Sequence, residues 1–296
     1  MFDKRLNVLR ELMAREGLEC VVLVPGANLF YFTGLRKSMS ERPIVAFVPL
    51  EGPLCLVLPV IEAPEARAAL TFEMEMHTYS DEEGHLPAFR RVCGELGLAG
   101  RRLGVEYLTM RVLEQALIEQ CAPGVQLADA DGLFSELRII KDATEIEAMR
   151  QAAHLNEQAY ARLREHIVPG RTEKELAALL RIAAWEVGAE GIAFDPIIVA
   201  GLNSASPHSH PGDHVLQTYE LVVVDFGVTY GGYCSDITRT YATWRVSPEM
   251  ASVHRAVYEA NAAARAAVRP GVTAQEVAPV QRFQFLDVFD RSGDDP

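Results

Sequence analysis

One segment occurs twice in this chain, and it constrains the fold more than any other feature. Pro169-Gly170-Arg171-Thr172-Glu173-Lys174-Glu175-Leu176-Ala177 returns 101 residues later as Pro270-Gly271-Val272-Thr273-Ala274-Gln275-Glu276-Val277-Ala278, each time after an Ala-rich helical pattern. Pro-Gly stops a helix, and Thr-x-x-Glu starts the next by satisfying its free amides reciprocally. Recurrence of such a unit at a fixed offset implies a domain with two similar halves. The competing reading is chance, because proline, glycine and capping boxes are common punctuation. In the second copy Pro279 stands where Ala178 stands in the first, inside the expected helix, where proline costs about 3 kcal/mol. The residues beyond it, with Phe283, Phe285, Leu286 and Phe289 before a polar end, contain no strand pattern. The expectation is a duplication cut off partway.

The chain before this domain alternates helix and strand signals. Leu6, Leu9, Leu12 and Met13 recur at helical spacing, and Cys20 to Val24 reads as a buried strand stopped by Pro25-Gly26. Further strands are expected at 44–48, 54–58, 74–79, 102–107 and 125–128, with helices near 63–70, 86–96 and 110–121. This is an α/β domain over residues 1–131. From Leu133 the pattern turns helical through Ile146 and Met149 to Ile167, placing a second domain over 132–296.

Composition excludes several function classes. The chain has 28 basic and 41 acidic side chains, a net charge of −13 that repels phosphate backbones and anionic lipid. Nucleic acid and membrane are not expected partners, and no stretch approaches a membrane span or a signal peptide. The five cysteines stand singly without a C-x-x-C pair, which suits reduced thiols packed as small hydrophobes in a cytoplasmic protein. His77, His85, His154 and His166 read as surface or helix-face residues, and His210 and His214 as solvated loop residues.

The chemistry concentrates around Leu221-Val222-Val223-Val224-Asp225-Phe226-Gly227 and the strand that follows Gly231-Gly232. If the hairpin is centred between Tyr230 and Gly231, Asp225 and Asp236 stand directly opposite each other. Like charges placed so are destabilising. A pair of divalent metal ions would neutralise them. So would protonation of one aspartate, pairing with Arg239, or a register displaced by one residue. Spacing alone leaves these open.

Asp225-Phe226-Gly227 followed by Ser235-Asp236-Ile237-Thr238-Arg239-Thr240 resembles the D-x-G and S-D-x-T-R-T signature of the pita-bread metallopeptidases, the family of Xaa-Pro dipeptidase and aminopeptidase P. Phe194 to Gly201, Asn203 to His208, Asn28 to Gly34 and Arg138 to Ile146 are similar to further segments of that family. The resemblance implies an α/β creatinase-like amino-terminal domain, then an α+β pita-bread domain that is incomplete. It implies a two-metal hydrolase, using manganese, cobalt or zinc, that cleaves the peptide bond before proline. Five protein ligands hold the metals in such enzymes. Asp225 and Asp236 match two, and His208 matches a histidine that contacts substrate or moves a proton. The other three, a histidine and two glutamates, lie in the second half of the duplicated domain. Here the last histidine is His254 and the last glutamate is Glu276, both inside expected helices, so those ligands are expected to be missing.

The expectation is therefore a proline-peptide hydrolase inactive as it stands, with its metals absent or weakly held. A non-catalytic binding or scaffold protein is the alternative. A creatine amidinohydrolase relative fits less well, since that enzyme does not need the two aspartates. Homodimerisation or higher self-association is expected from the open sheet.

Overall fold

The computed structural model describes residues 2–206 and 209–278. The chain divides into two compact units, Met1–Asp142 and the residues from Ala143 onward.

The first unit contains α1 (Phe2–Glu16), β1 (Cys20–Leu23), α2 (Ala27–Thr33), β2 (Val45–Pro49), β3 (Cys55–Pro59), α3 (Ala63–Ala69), β4 (Glu75–Tyr79), α4 (Leu86–Glu95), β5 (Arg102–Val105), α5 (Val112–Cys121), β6 (Gln126–Asp129) and α6 (Asp131–Arg138). Its six strands form one mixed sheet in the order β4-β3-β2-β1-β5-β6. Alternation along β1 sends Val21 and Leu23 to a core shared with Leu9, Met13 and Phe134. Cys20 and Val22 go to the opposite core, with Phe47, Phe89 and Ile118. Both faces are covered, so β1, β2 and β3 are apolar at nearly every position.

Helix α6 belongs to this unit because Leu133 and Phe134 complete the first of these cores. The division therefore falls after Asp142, later than residue 131. The helix expected from 133 to 167 is two helices, interrupted at 139–142. Asn28 joins distant parts of the unit: its Nδ2 donates to Glu106 Oε1 at 2.7 Å, and its Oδ1 accepts from Arg138 at 2.8 Å. The Val24 amide donates to the other Glu106 oxygen at 2.7 Å. Burial pushes the Glu106 carboxyl above its ordinary range, although both of these bonds oppose the shift.

The second unit contains α7 (Ala143–Arg164), α8 (Glu173–Glu186), β7 (Gly191–Ala200), β8 (Leu221–Tyr230), β9 (Tyr233–Cys234), β10 (Ile237–Ala242) and α9 (Pro248–Ala267). The sheet order is β10-β8-β7, all antiparallel, with β9 also paired to β8. Pro196 is tolerated in β7 because the register shifts between Phe194 and Ile197. Val222, Val224, Phe226 and Val228 are buried in one core with Tyr160, Leu163, Leu176 and Leu180 from α7 and α8. That apolar face is sealed by the two helices.

Both capping boxes form. Thr172 and Glu175 exchange bonds of 2.8 and 3.1 Å, and Thr273 and Glu276 exchange bonds of 2.7 and 3.3 Å at the start of the helical turn 274–278. Pro279 and the phenylalanines after it lie outside the described residues. No helix is long and apolar enough to cross a membrane among the described residues.

Candidate metal centre

Asp225 sits on β8, the central strand, where the alternation that buries its even-numbered neighbours turns it to the opposite face. Helix α7 grips the strand on both sides of it. Asn156 Nδ2 donates to the Phe226 carbonyl at 2.7 Å, and the Tyr160 hydroxyl lies 3.0 Å from the Val224 carbonyl and 2.7 Å from that of Ile237. Burial pushes the Tyr160 hydroxyl far above its ordinary range, and the charges of Asp225 and Asp236 push it the same way.

The two aspartates are not directly opposed. Tyr230 pairs with Tyr233, and Thr238 faces Asp225. The reason is the turn: Gly231 and Gly232 have φ of 59° and 81°, a two-residue turn that only glycine pairs and a few others enter cheaply. Its centre lies between the glycines, one residue beyond the expected position. The register moves by two, so Asp236 stands diagonally across the ladder from Asp225, in the break between β9 and β10. Diagonal neighbours remain within reach of a shared ligand, at about 7–8 Å between backbones.

Three residues of the signature shape this geometry. The Thr238 hydroxyl donates to Asp225 Oδ1 at 2.8 Å. Between β9 and β10 the ladder breaks at Ser235, whose Oγ accepts from the Val228 amide at 3.0 Å and whose own amide donates to the Val228 carbonyl at 2.9 Å. Gly227 lies where the chain passes closest: a Cβ there would stand 2.1 Å from the Ser235 carbonyl oxygen. Arg239 pairs with Glu157 at 3.8 Å and forms no ion pair with either aspartate among the described residues.

The loop after β7 is tied down by Glu173, a residue the sequence reading used only as part of a capping segment. Its buried carboxylate accepts from the Ala200 amide at 2.7 Å, Asn203 Nδ2 at 2.8 Å and the Gly212 amide at 2.7 Å. His208 belongs to the segment between these anchors and lies outside the described residues. His210 is exposed, and His214 Nε2 sits 3.1 Å from both Glu220 oxygens. His254 is exposed on α9, and the Glu276 carboxylate is occupied by its capping box.

Tyr160 and Asn156 were also missed. A signal existed: Ala152, Asn156, Ala159, Tyr160 and Leu163 form one buried stripe on α7, and a polar residue in an apolar stripe needs a partner.

Residues 5–140 match the creatinase/prolidase N-terminal domain, and residues 147–282 match metallopeptidase family M24. A probable dipeptidase PepE of Mycobacterium tuberculosis is 32% identical over 291 residues, which cover 95% of this chain and 74% of that protein. The chain belongs to the M24 metallopeptidase family. Within that family, a putative dipeptidase YkvY of Bacillus subtilis is 31% identical over 83% of this chain and 67% of its own length. A crystal structure of a prolidase from Thermococcus sibiricus superposes with a TM-score of 0.91 at 30% identity, covering 97% of this chain and 78% of that one. The fold is thus a creatinase-type amino-terminal domain with an M24 pita-bread domain, and the family is one of divalent-metal peptidases acting on peptides.

The two aspartates fit such ions in donor chemistry. They are hard oxygen donors, one on β8 and one in the break before β10, and neither has a Lys or Arg ion pair among the described residues.

Proposed function

We propose that this chain carries part of a Xaa-Pro dipeptidase centre, with Asp225 and Asp236 as two of the five ligands of a divalent pair of manganese, cobalt or zinc. The observation that carries the reading is the hairpin register that sets Asp236 diagonally across from Asp225, with Thr238 bonded to Asp225, in a chain that matches M24 over residues 147–282. Bound divalent ions supply Lewis-acid polarisation of the scissile carbonyl and an acidified water. The chain's own residues do the positioning. Thr238 fixes one Asp225 oxygen and leaves the other free, Asn156 and Tyr160 hold the strand behind it, and Glu173 anchors the loop from which His208 contacts substrate or relays a proton. The five free cysteines suit a reducing, cytoplasmic setting.

Two aspartates do not by themselves fix two ions in catalytic geometry. A polypeptide of these 296 residues is expected to bind Mn2+ weakly through Asp225 and Asp236 and to show no turnover of a Xaa-Pro dipeptide. Mn2+ electron paramagnetic resonance, with and without Asp225→Asn, tests the first part. Binding unaffected by that substitution would refute the ligand assignment. Turnover abolished by it would refute the inactivity.

A further inference from the structure

The amino-terminal unit holds a second set of metal-type donors, remote in sequence from the two aspartates. Strands β3 and β4 pair in parallel at the end of the sheet, with Cys55 beside Glu75 and Val57 beside His77. Alternation puts Cys55, Glu75 and His77 on the face covered by α4. Cys55 Sγ lies 3.8 Å from Glu75 Oε2, and His77 Nε2 lies 4.0 Å from the same oxygen. Glu95, the last residue of α4, brings its Oε2 to 3.4 Å from His77 Nε2. One ligand atom each from Cys55, Glu75 and His77 falls within a 4.8 Å span.

His77 was expected on the surface or on a helix face, and it lies on β4 instead. It is 7% exposed, its Nε2 is buried, and that nitrogen makes no hydrogen bond with acceptable geometry although it faces two carboxylates. A buried imidazole nitrogen left so is costly. The charges around it are equally unresolved. Neither Glu75 nor Glu95 has a Lys or Arg ion pair among the described residues, and Glu95 stands at the negative end of its helix. A cation at this point would satisfy all of these groups together.

We propose that Cys55, Glu75, His77 and Glu95 form a binding site for one divalent transition-metal ion, Zn2+ by donor type, in the amino-terminal unit. One thiolate, one imidazole and two carboxylates is a mixed soft and hard set that suits Zn2+ or Co2+ and disfavours Mg2+ and Ca2+. Ligand atoms of a tetrahedral zinc site stand about 3.3–3.7 Å apart, so the 3.8 and 4.0 Å separations, and a Cys55–His77 separation of up to 4.8 Å, need closing by several tenths of an ångström to about 1 Å. The two glutamates can supply their part of that movement, because their side chains are 54% and 50% exposed; the rest falls to the Cys55 and His77 side-chain rotamers. The same exposure opens the path for the ion. Binding breaks the Cys55 S–H bond, forms a sulfur–metal bond and releases the proton to solvent.

The test uses the full chain with Asp225→Asn and Asp236→Asn, so that the second unit does not contribute, and titrates it with Co2+. The expected result is one equivalent bound with a thiolate-to-cobalt charge-transfer band, displaced by Zn2+. Cys55→Ser abolishes the band, and Glu95→Gln, at an exposed helix end where folding is not at risk, weakens Zn2+ binding about tenfold or more. Absence of the band at stoichiometric Co2+ overturns the proposal. So does a band that survives Cys55→Ser, or Zn2+ affinity that Glu95→Gln leaves unchanged.

Discussion

Glu173→Gln is the sharpest perturbation of the candidate site that leaves volume intact. Glu173 Oε2 accepts from both Asn203 Nδ2 and the Gly212 amide, while Oε1 accepts from Ala200 alone. A glutamine keeps the two-bond side by placing its carbonyl oxygen there, which turns its NH2 group against the Ala200 N–H. That buried amide is orphaned, at about 1–3 kcal/mol, and the two surviving bonds lose their charge assistance, roughly half their strength. The negative charge also leaves the first turn of α8, where it is worth about 0.3–1 kcal/mol. The sum is about 3 kcal/mol. For a unit of this size that lowers the midpoint of its thermal transition by roughly 6–12 °C. Two measurements check it. Thermal unfolding followed by circular dichroism gives the midpoint, and amide exchange over 200–212 gives the local effect, with Ala200 expected to exchange about a hundredfold faster. A midpoint within about 1 °C of wild type, with Ala200 still protected, would show that Glu173 does not anchor the loop.

Three further outcomes are expected. Gly227→Ala drives a methyl to 2.1 Å from the Ser235 carbonyl oxygen and should destabilise the second unit by about 2–4 kcal/mol in urea unfolding; a smaller loss would mean that the β9–β10 break yields easily. Because burial raises the Glu106 carboxyl above its ordinary value of 4.5, the folded chain holds that proton more tightly than the unfolded chain, so this group's contribution to stability falls as pH rises above 4.5. The stability difference between wild type and Glu106→Gln should therefore shrink with rising pH, and a pH-independent difference would remove burial as the cause. Strands β7 and β10 each have one neighbour among the described residues, so light scattering should report self-association at micromolar concentration, and a clean monomer would refute the reading of these edges as open.

Elements whose pattern is local were legible in the sequence. Strands β2 to β6 and helices α3 to α5 start within about two residues of their expected positions, because apolar runs, helical spacing and Pro-Gly punctuation do not depend on distant partners. Helix α2 was not read: its seven residues are a short aromatic run that fits helix and strand equally. Residues 139–142 interrupt a continuous helical pattern because Phe134 is claimed by the first core and Tyr160 by the second, a tertiary choice. The pairing of Cys55 with Glu75 depends on the register of two parallel strands separated by a helix, which periodicity does not encode.

The signature around the two aspartates divides in the same way between architecture and chemistry. Gly227 is there because the Ser235 carbonyl passes too close for any side chain, Ser235 because it closes a broken ladder on Val228, and Thr238 because it aims one Asp225 oxygen. Those three residues fix backbone geometry whether or not an ion is bound. A motif match therefore testifies first to a strand–turn–strand shape, and only Asp225 and Asp236 within it speak for metal. The remaining ligands of the family have no partner in this shape: nothing about the hairpin's stability requires them. Retention of the full signature is thus compatible with either activity or its loss, and binding measurements on Asp225 and Asp236, separate from turnover, are what distinguish a formed half-site from a working one.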